Sequence, residues 1–388
     1  MAKARNLTIL CAAVVASLSV WFASTAAVAD LIATGLMTSE QGGLLTSSVQ
    51  AGFVAGTLAS AALGLADRIR PTYLFAMGCA LAGVATLLLP LAEPAGWTTL
   101  VLRAVAGAAM AAVYPVGMKM ASTWAQGDLG LLIGILVGSL TLGSASPYLV
   151  NGLIGTLPWT TVYLVSGGLC LAAGLLILGF REGGVSFART VFRFADIGEA
   201  WRSQRLRLAN LGYFGHMWEL YAMWAWMGAF LQHGPLGLEG ASASIFVFAV
   251  LAAGLPGAVL AGLVADRLGR CETAAAAMIA SGLCALAIGP AAGIAPGLAL
   301  AIALFWGFFV ADSAQFSALV IEAAPRHLTG TMLTLQTCIG FLITIGAIQS
   351  LPWLLPFTGW SHAFALLAIG PFLGAIAMLR LRALRRSA

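Results

Sequence analysis

Gly262-Leu-Val-Ala-Asp-Arg-Leu-Gly-Arg270 has a near-copy at Leu63-Gly-Leu-Ala-Asp-Arg-Ile-Arg70, 199 residues earlier. Asp67-Arg68 and Asp266-Arg267 fall in register at that offset. Each copy is a short polar gap between two long apolar runs. A charged turn that recurs at half the chain length marks two copies of one membrane-embedded unit. The rest of the sequence organises around that repeat.

The chain has 388 residues, of which 61% are hydrophobic and 9% charged. Soluble domains carry roughly 25% charged residues, so most of this exterior must face lipid. Apolar runs fall at about 7–29, 41–66, 72–91, 97–119, 129–150 and 159–180. A polar stretch at 181–208 follows, then runs at about 209–232, 241–265, 273–292, 297–320, 331–352 and 360–380. Each run matches the roughly 20 residues that a helix needs to cross a bilayer. None alternates in polarity as a barrel strand does. The pattern predicts an all-α membrane protein of twelve transmembrane helices in two six-helix bundles, 1–180 and 209–388, joined by a cytoplasmic linker at 181–208.

Lys3, Arg5, Arg68, Arg70, Arg267, Arg270, Arg326, the arginines of the central stretch and the four near the C-terminus all fall on one side of twelve crossings. The opposite loops hold Asp30, Glu40, Glu93 and Glu239, and no Lys or Arg. The positive-inside rule makes the basic side cytoplasmic, with both termini there. The net charge of +5 is thereby spent on topology, and no nucleic-acid partner is expected. The first 30 residues have the basic start, apolar stretch and small-residue end of a signal peptide. The repeat argues for keeping them, because cleavage would leave one half with five helices. Cys11, Cys79, Cys170, Cys271, Cys284 and Cys338 are scattered without CxxC spacing and read as small core residues.

The turn Gly262-x-x-x-Asp266-Arg267-x-Gly269-Arg270 resembles the cytoplasmic signature of the major facilitator superfamily. In the first copy Leu63 replaces the leading glycine. Arg103-x-x-x-Gly107 is similar to the family's helix-four motif, and Gly134, Gly143 and Pro147 partly resemble its helix-five antiporter motif. The series Arg103, Tyr114-Pro115, Lys119, Ser122-x-Trp124 resembles the anion-transporting branches, which often place a basic residue after the tryptophan where this chain has Asp128. The resemblance implies parallel halves that rock about a central cavity lined by the first, fourth, seventh and tenth helices. It also implies that Asp67, Arg68, Gly262, Asp266, Arg267, Gly269 and Arg270 form a cytoplasmic gate. Helix starts offer free N–H groups and a favourable dipole to such aspartates. The complete copy should make the tighter contacts.

An ionisable group at mid-bilayer is costly and usually works. The candidates are Arg103 and Lys119 in the fourth run, His216 and Glu219 in the seventh, and Asp312 in the tenth. His216 and Glu219 are spaced i, i+3 and share a face. Desolvation disfavours a charged carboxylate, which suits a site that takes up and gives back a proton. His216, Glu219 and Asp312 are therefore candidates for proton coupling; the plainer alternative is a structural tie between helices. Arg103, Trp21, Trp218, Tyr221, Gln315 and Lys119 are candidates for solute binding, although Lys119 sits where it can snorkel to the interface. Two ligands are too few for a zinc site, and neither metal nor cofactor is expected. No HExxH or Gly-x-Ser-x-Gly constellation suggests an enzyme. The expectation is a monomeric, proton-coupled secondary transporter of a bacterial inner membrane, with small solute, protons and lipid as its partners. A small anion drawn by Arg103 is the leading cargo, and drug/proton antiport of amphiphilic or cationic compounds is the alternative.

Overall fold

A computed structural model describes residues 2–153, 158–184, 198–310, 313–325 and 328–386. Among them, eleven helices or helix pairs are long and apolar enough to cross a bilayer. The first six spans are Ala2–Ile32, Glu40–Leu63, Pro71–Leu91, Trp97–Ser122, Leu129–Leu153 and Trp159–Gly179. The eighth to twelfth are Gly240–Leu268, Arg270–Ile294, Pro296–Ala323, Thr329–Thr358 and Trp360–Arg386. The seventh, Gln204–His233, is one thirty-residue helix. It carries Asn210, His216, Glu219 and many rings and is buried along most of its length, so it needs no lipid-facing apolar stripe.

The seventh span begins inside the stretch expected to be linker, because the Ser203 hydroxyl accepts from the Leu206 N–H and caps the helix there. Linker residues 185–197 and the expected basic residue Arg326 lie outside the described residues.

The repeat is visible in how helices cross. A Cβ on Gly56 would stand 2.3 Å from the Ala108 carbonyl oxygen, and one on Gly107 would stand 2.1 Å from that of Val49. In the second half, a Cβ on Gly257 would stand 2.0 Å from the Phe308 oxygen, and one on Gly307 1.9 Å from that of Val250. The second span thus crosses the fourth as the eighth crosses the tenth, backbone on backbone, with glycine supplying the clearance. The halves meet where the fifth span packs on the eighth and the second on the eleventh. Both termini and both Asp-Arg turns lie at one end of the bundle, called here the proximal end, and the opposite end is distal.

Several spans are broken. The first divides between Ala2–Leu18 and Ala23–Ala33, the fourth between Trp97–Met110 and Tyr114–Ser122, and the tenth between Pro296–Phe309 and Ser313–Ala323. The seventh is continuous.

The crossings give a direct test. Gly107→Val or Gly307→Val should destabilise the protein by about 2 kcal/mol or more, because the added atoms meet backbone that cannot rotate away. Gly168→Val should be silent, because nothing lies within 4 Å of the position. Thermal unfolding of the purified variants in detergent reads the difference.

Candidate functional site

The break in the first span begins with its serines. Ser17 Oγ donates to the Val14 carbonyl at 3.1 Å, and Ser19 Oγ to that of Ala16 at 2.7 Å. Such bonds compete with the helix's own ladder. The turn that follows leaves carbonyls with no helical donor, in a place water does not reach. Arg103, fully buried on the fourth span, supplies the donors: Nη1 to Val20 O at 2.8 Å and Nη2 to Trp21 O at 2.6 Å. Its Nε–H is buried without an acceptor among the described residues.

The turn held by Arg103 presents two rings to the centre of the bundle. Trp21 meets Phe53 at 5.1 Å, Phe341 at 5.6 Å and Tyr221 at 6.0 Å between ring centroids. Phe22 stacks on Tyr221 at 6.1 Å and meets Trp224 edge-on at 5.6 Å. Phe53 and Phe341 are 4.4 Å apart. Rings from the first, second, seventh and eleventh spans thus close the middle of the molecule across both halves.

Distal to these rings by about one to two helical turns lies a cavity of about 420 Å³ between the halves. Thr25 of the first span, Thr46 of the second and Tyr148 of the fifth line it from one half. Trp226 of the seventh, Ser244 of the eighth and Pro352 of the eleventh line it from the other. The exposed His233 and Pro356 stand at its rim. Most of its polar groups are engaged. Thr25 and Thr46 hydroxyls share a hydrogen bond of 2.8 Å, Asn151 Nδ2 donates to Ser244 Oγ at 3.3 Å, and Trp226 Nε1 donates to Ile348 O at 2.9 Å. The Tyr148 hydroxyl is buried and unpartnered among the described residues.

Glu219 is turned away from this cavity. Its carboxylate accepts from Trp306 Nε1 at 2.7 Å and Ser281 Oγ at 2.8 Å, on the tenth and ninth spans. His216, one turn earlier, packs its ring on Phe316 at 5.4 Å. Trp306 precedes the tenth-span break and Phe316 follows it, so the shared face of His216 and Glu219 brackets that break. Asp312 lies outside the described residues.

At the proximal end the two Asp-Arg turns differ. The second copy turns at Gly269, whose φ of 102° is open to glycine alone at low cost. Arg70 holds that place in the first copy, and there the chain turns earlier, at Gly64 with φ 62°. Asp266 reaches the first turn of the fifth span, in the other half: a Cβ on Gly130 would stand 3.4 Å from both carboxylate oxygens. Gly262 lies against the same residue, with its Cβ position 3.4 Å from Gly130 O. Arg270 donates to Glu322 at 3.0 Å and to Gln315 Oε1 at 3.1 Å, and Glu322 also pairs with Arg385 at 2.8 Å. In the first copy Lys119 Nζ donates to the Ala66 carbonyl at 2.9 Å, and Arg70 stands 5.3 Å over the Tyr73 ring. Arg68 and Arg267 are exposed, and the Asp67 side chain lies outside the description. Nearby, Asp128 is held below the usual carboxylate range by the Gln126 N–H and by Lys3 at 2.7 Å.

The expected solute-binding residues are thus distributed. Trp21 and Tyr221 meet in the ring cluster, whereas Trp218 donates to Leu366 O of the twelfth span at 3.1 Å. Gln315 and Lys119 belong to the proximal turns, and Arg103 to the first-span break. The cavity wall brings in Thr46, Tyr148, Gln232 and Ser244, which the sequence did not single out. Their only signal was a polar atom inside an apolar run.

The sequence model of the Major Facilitator Superfamily matches residues 9–348. No curated protein matches the chain by sequence. Among solved structures, the chain is similar to the proton:xylose symporter XylE bound to 6-bromo-6-deoxy-D-glucose. The TM-score is 0.72 over 97% of this chain and 96% of that one, at 15% identity, a likeness of fold.

Arg103 makes a quantitative expectation possible. Arg103→Met leaves two buried carbonyls without donors, at about 1–3 kcal/mol each, and should lower the unfolding temperature clearly. Arg103→Lys, which keeps one donor group, should fall between the two. Equal unfolding temperatures for all three proteins would refute the clamp.

Proposed function

Because the chain belongs to the major facilitator superfamily, we propose that it is a proton-coupled secondary transporter whose proton site is Glu219. Its membership makes it a multi-pass membrane transporter. The small solute passes between the halves by alternating access, and the arginine-rich proximal end is cytoplasmic. The distal cavity then faces outward, and the ring cluster closes the path on its proximal side.

The observation that carries the coupling is the placement of Glu219 between Trp306 and Ser281. Hydrogen bonds to a charged acceptor are worth about 1.5–3 kcal/mol and neutral ones about 0.5–1.5. Protonation therefore loosens the hold on Trp306, beside the tenth-span break, by roughly 1–2 kcal/mol. That is of the order by which ligand sites are ordinarily coupled, about 1–3 kcal/mol. The solved relative XylE is itself a proton symporter. His216, packed on the far side of the same break, and Asp312 are the remaining members of the proposed proton site.

The cargo reading divides between two observations. An anion would depend on Arg103, whose Nε–H has no partner among the described residues. An amphiphilic compound, exchanged for protons, would depend on the ring-rich walls. At the proximal end, Asp266 against the first turn of the fifth span is the proposed latch, released when the halves separate there.

Glu219→Gln keeps an acceptor for Trp306 and removes the titration. In liposomes with an imposed pH gradient, the variant should lose at least tenfold of gradient-driven solute accumulation. Solute exchange without a gradient should persist. Wild-type accumulation by the variant would sink the assignment of Glu219.

A further inference from the structure

From the cavity wall we infer that the cargo is an uncharged, ring-bearing solute that offers a hydroxyl or carbonyl group to Tyr148. The inference rests on the transporter reading and names the solute class for the distal cavity.

The wall carries no Lys, Arg, Asp or Glu among the described residues, and its one side chain that can become a cation is His233 at the exposed rim. A charged solute entering an apolar cavity loses hydration worth many kcal/mol unless an opposite charge meets it. The nearby buried cation is Arg103, one turn proximal to the cavity, and both its terminal nitrogens are bound to backbone. Neither sign of charge is compensated in the wall.

The polar groups set a second condition. Thr25, Thr46, Ser244 and Trp226 already have partners within the protein. Tyr148 is 4% exposed, lines the cavity and has an unpartnered hydroxyl. A buried polar atom left unsatisfied costs about 1–3 kcal/mol, so a solute that bonds it gains what the empty protein forgoes.

The remaining wall suits a flat ring. Trp226 and Trp360 supply aromatic surface, with Trp226 fixed by its bond to Ile348. Gly42, Gly43 and Gly228 also line the cavity, with Gly43 lying against the Trp226 ring. At Gly228 an added Cβ would just reach contact with Val247 at 3.7 Å and Tyr148 at 3.9 Å, so any larger side chain there would take up space beside Tyr148. Ring pairs add about 0.5–1.5 kcal/mol beyond area burial. The cavity of about 420 Å³ equals the liquid volume of roughly fourteen waters at about 30 Å³ each, which suits a bicyclic compound.

A matched series tests the class. Equilibrium dialysis with the purified full-length protein would use 2-naphthylmethanol, 2-naphthoate, 2-naphthylmethylammonium and sorbitol, with no pH gradient present. The alcohol should bind at least tenfold more tightly than the anion, the cation or the ringless polyol. Tyr148→Phe, nearly isosteric, should weaken the alcohol roughly threefold to tenfold. Gly228→Leu should fill the cavity and abolish binding. Tighter or equal binding of naphthoate, tight binding of sorbitol, indifference to Tyr148→Phe, or no binding at all would each overturn the inference. Because the measurement needs no gradient, its failure is separate from failure of coupling at Glu219, which only the accumulation assay reads.

Discussion

Inside a bilayer, an opened turn of helix exposes carbonyls that no water can satisfy. This chain opens its first span at Ser19–Phe22 and meets the difficulty with one side chain, Arg103. The consequences spread outward. The held turn aims Trp21 and Phe22 at the centre, where they meet rings from the other half. Those rings close the bundle on the proximal side of the distal cavity. The cation that makes this geometry tolerable is spent in doing so, and the cavity above it is left uncharged.

The same economy appears elsewhere. Buried polar groups in this protein are used to tie helices at the places where helices break. Glu219 and Ser281 hold Trp306 beside the tenth-span break. Breaks need such ties, because the ladder bonds they forgo are not replaced by lipid. Buried charge is therefore set against the breaks, Arg103 at that of the first span and Glu219 beside that of the tenth.

Much of this was legible in the sequence, for reasons that can be named. Twelve runs, the arginine asymmetry and the repeated turn are one-dimensional signals set by the bilayer and need no tertiary information. Glu219 was visible because a carboxylate in an apolar run is expensive wherever it points. Its direction was not visible: the i, i+3 spacing correctly joins it to His216, but packing decides that the shared face meets the ninth and tenth spans. Arg103 stood out for the same reason, yet its partners are backbone carbonyls, which every residue has and no sequence marks. Tyr148 and Thr46 were hidden because one hydroxyl in an apolar run costs little, and only assembly of both halves shows which ones share a cavity. Gly269 and Gly64 illustrate a middle case. That the first copy lacks the counterpart of Gly269 was readable, but not that it would turn six residues sooner, at Gly64.

One feature of the seventh span bears on mechanics. It is a single unbroken rod while its counterparts are jointed, and it carries Glu219 and, seven residues on, Trp226. Seven residues put them about 10 Å apart along the axis, Glu219 against the ninth and tenth spans and Trp226 against the eleventh. A jointed helix could absorb a disturbance at one residue before it reached the other. A stiff one acts as a lever: a tilt of about ten degrees pivoted at the carboxylate sweeps the indole by roughly 2 Å. Under the proposed coupling, the proton at Glu219 and the cargo at Trp226 need no relay of side chains between them, since they pull on the same beam.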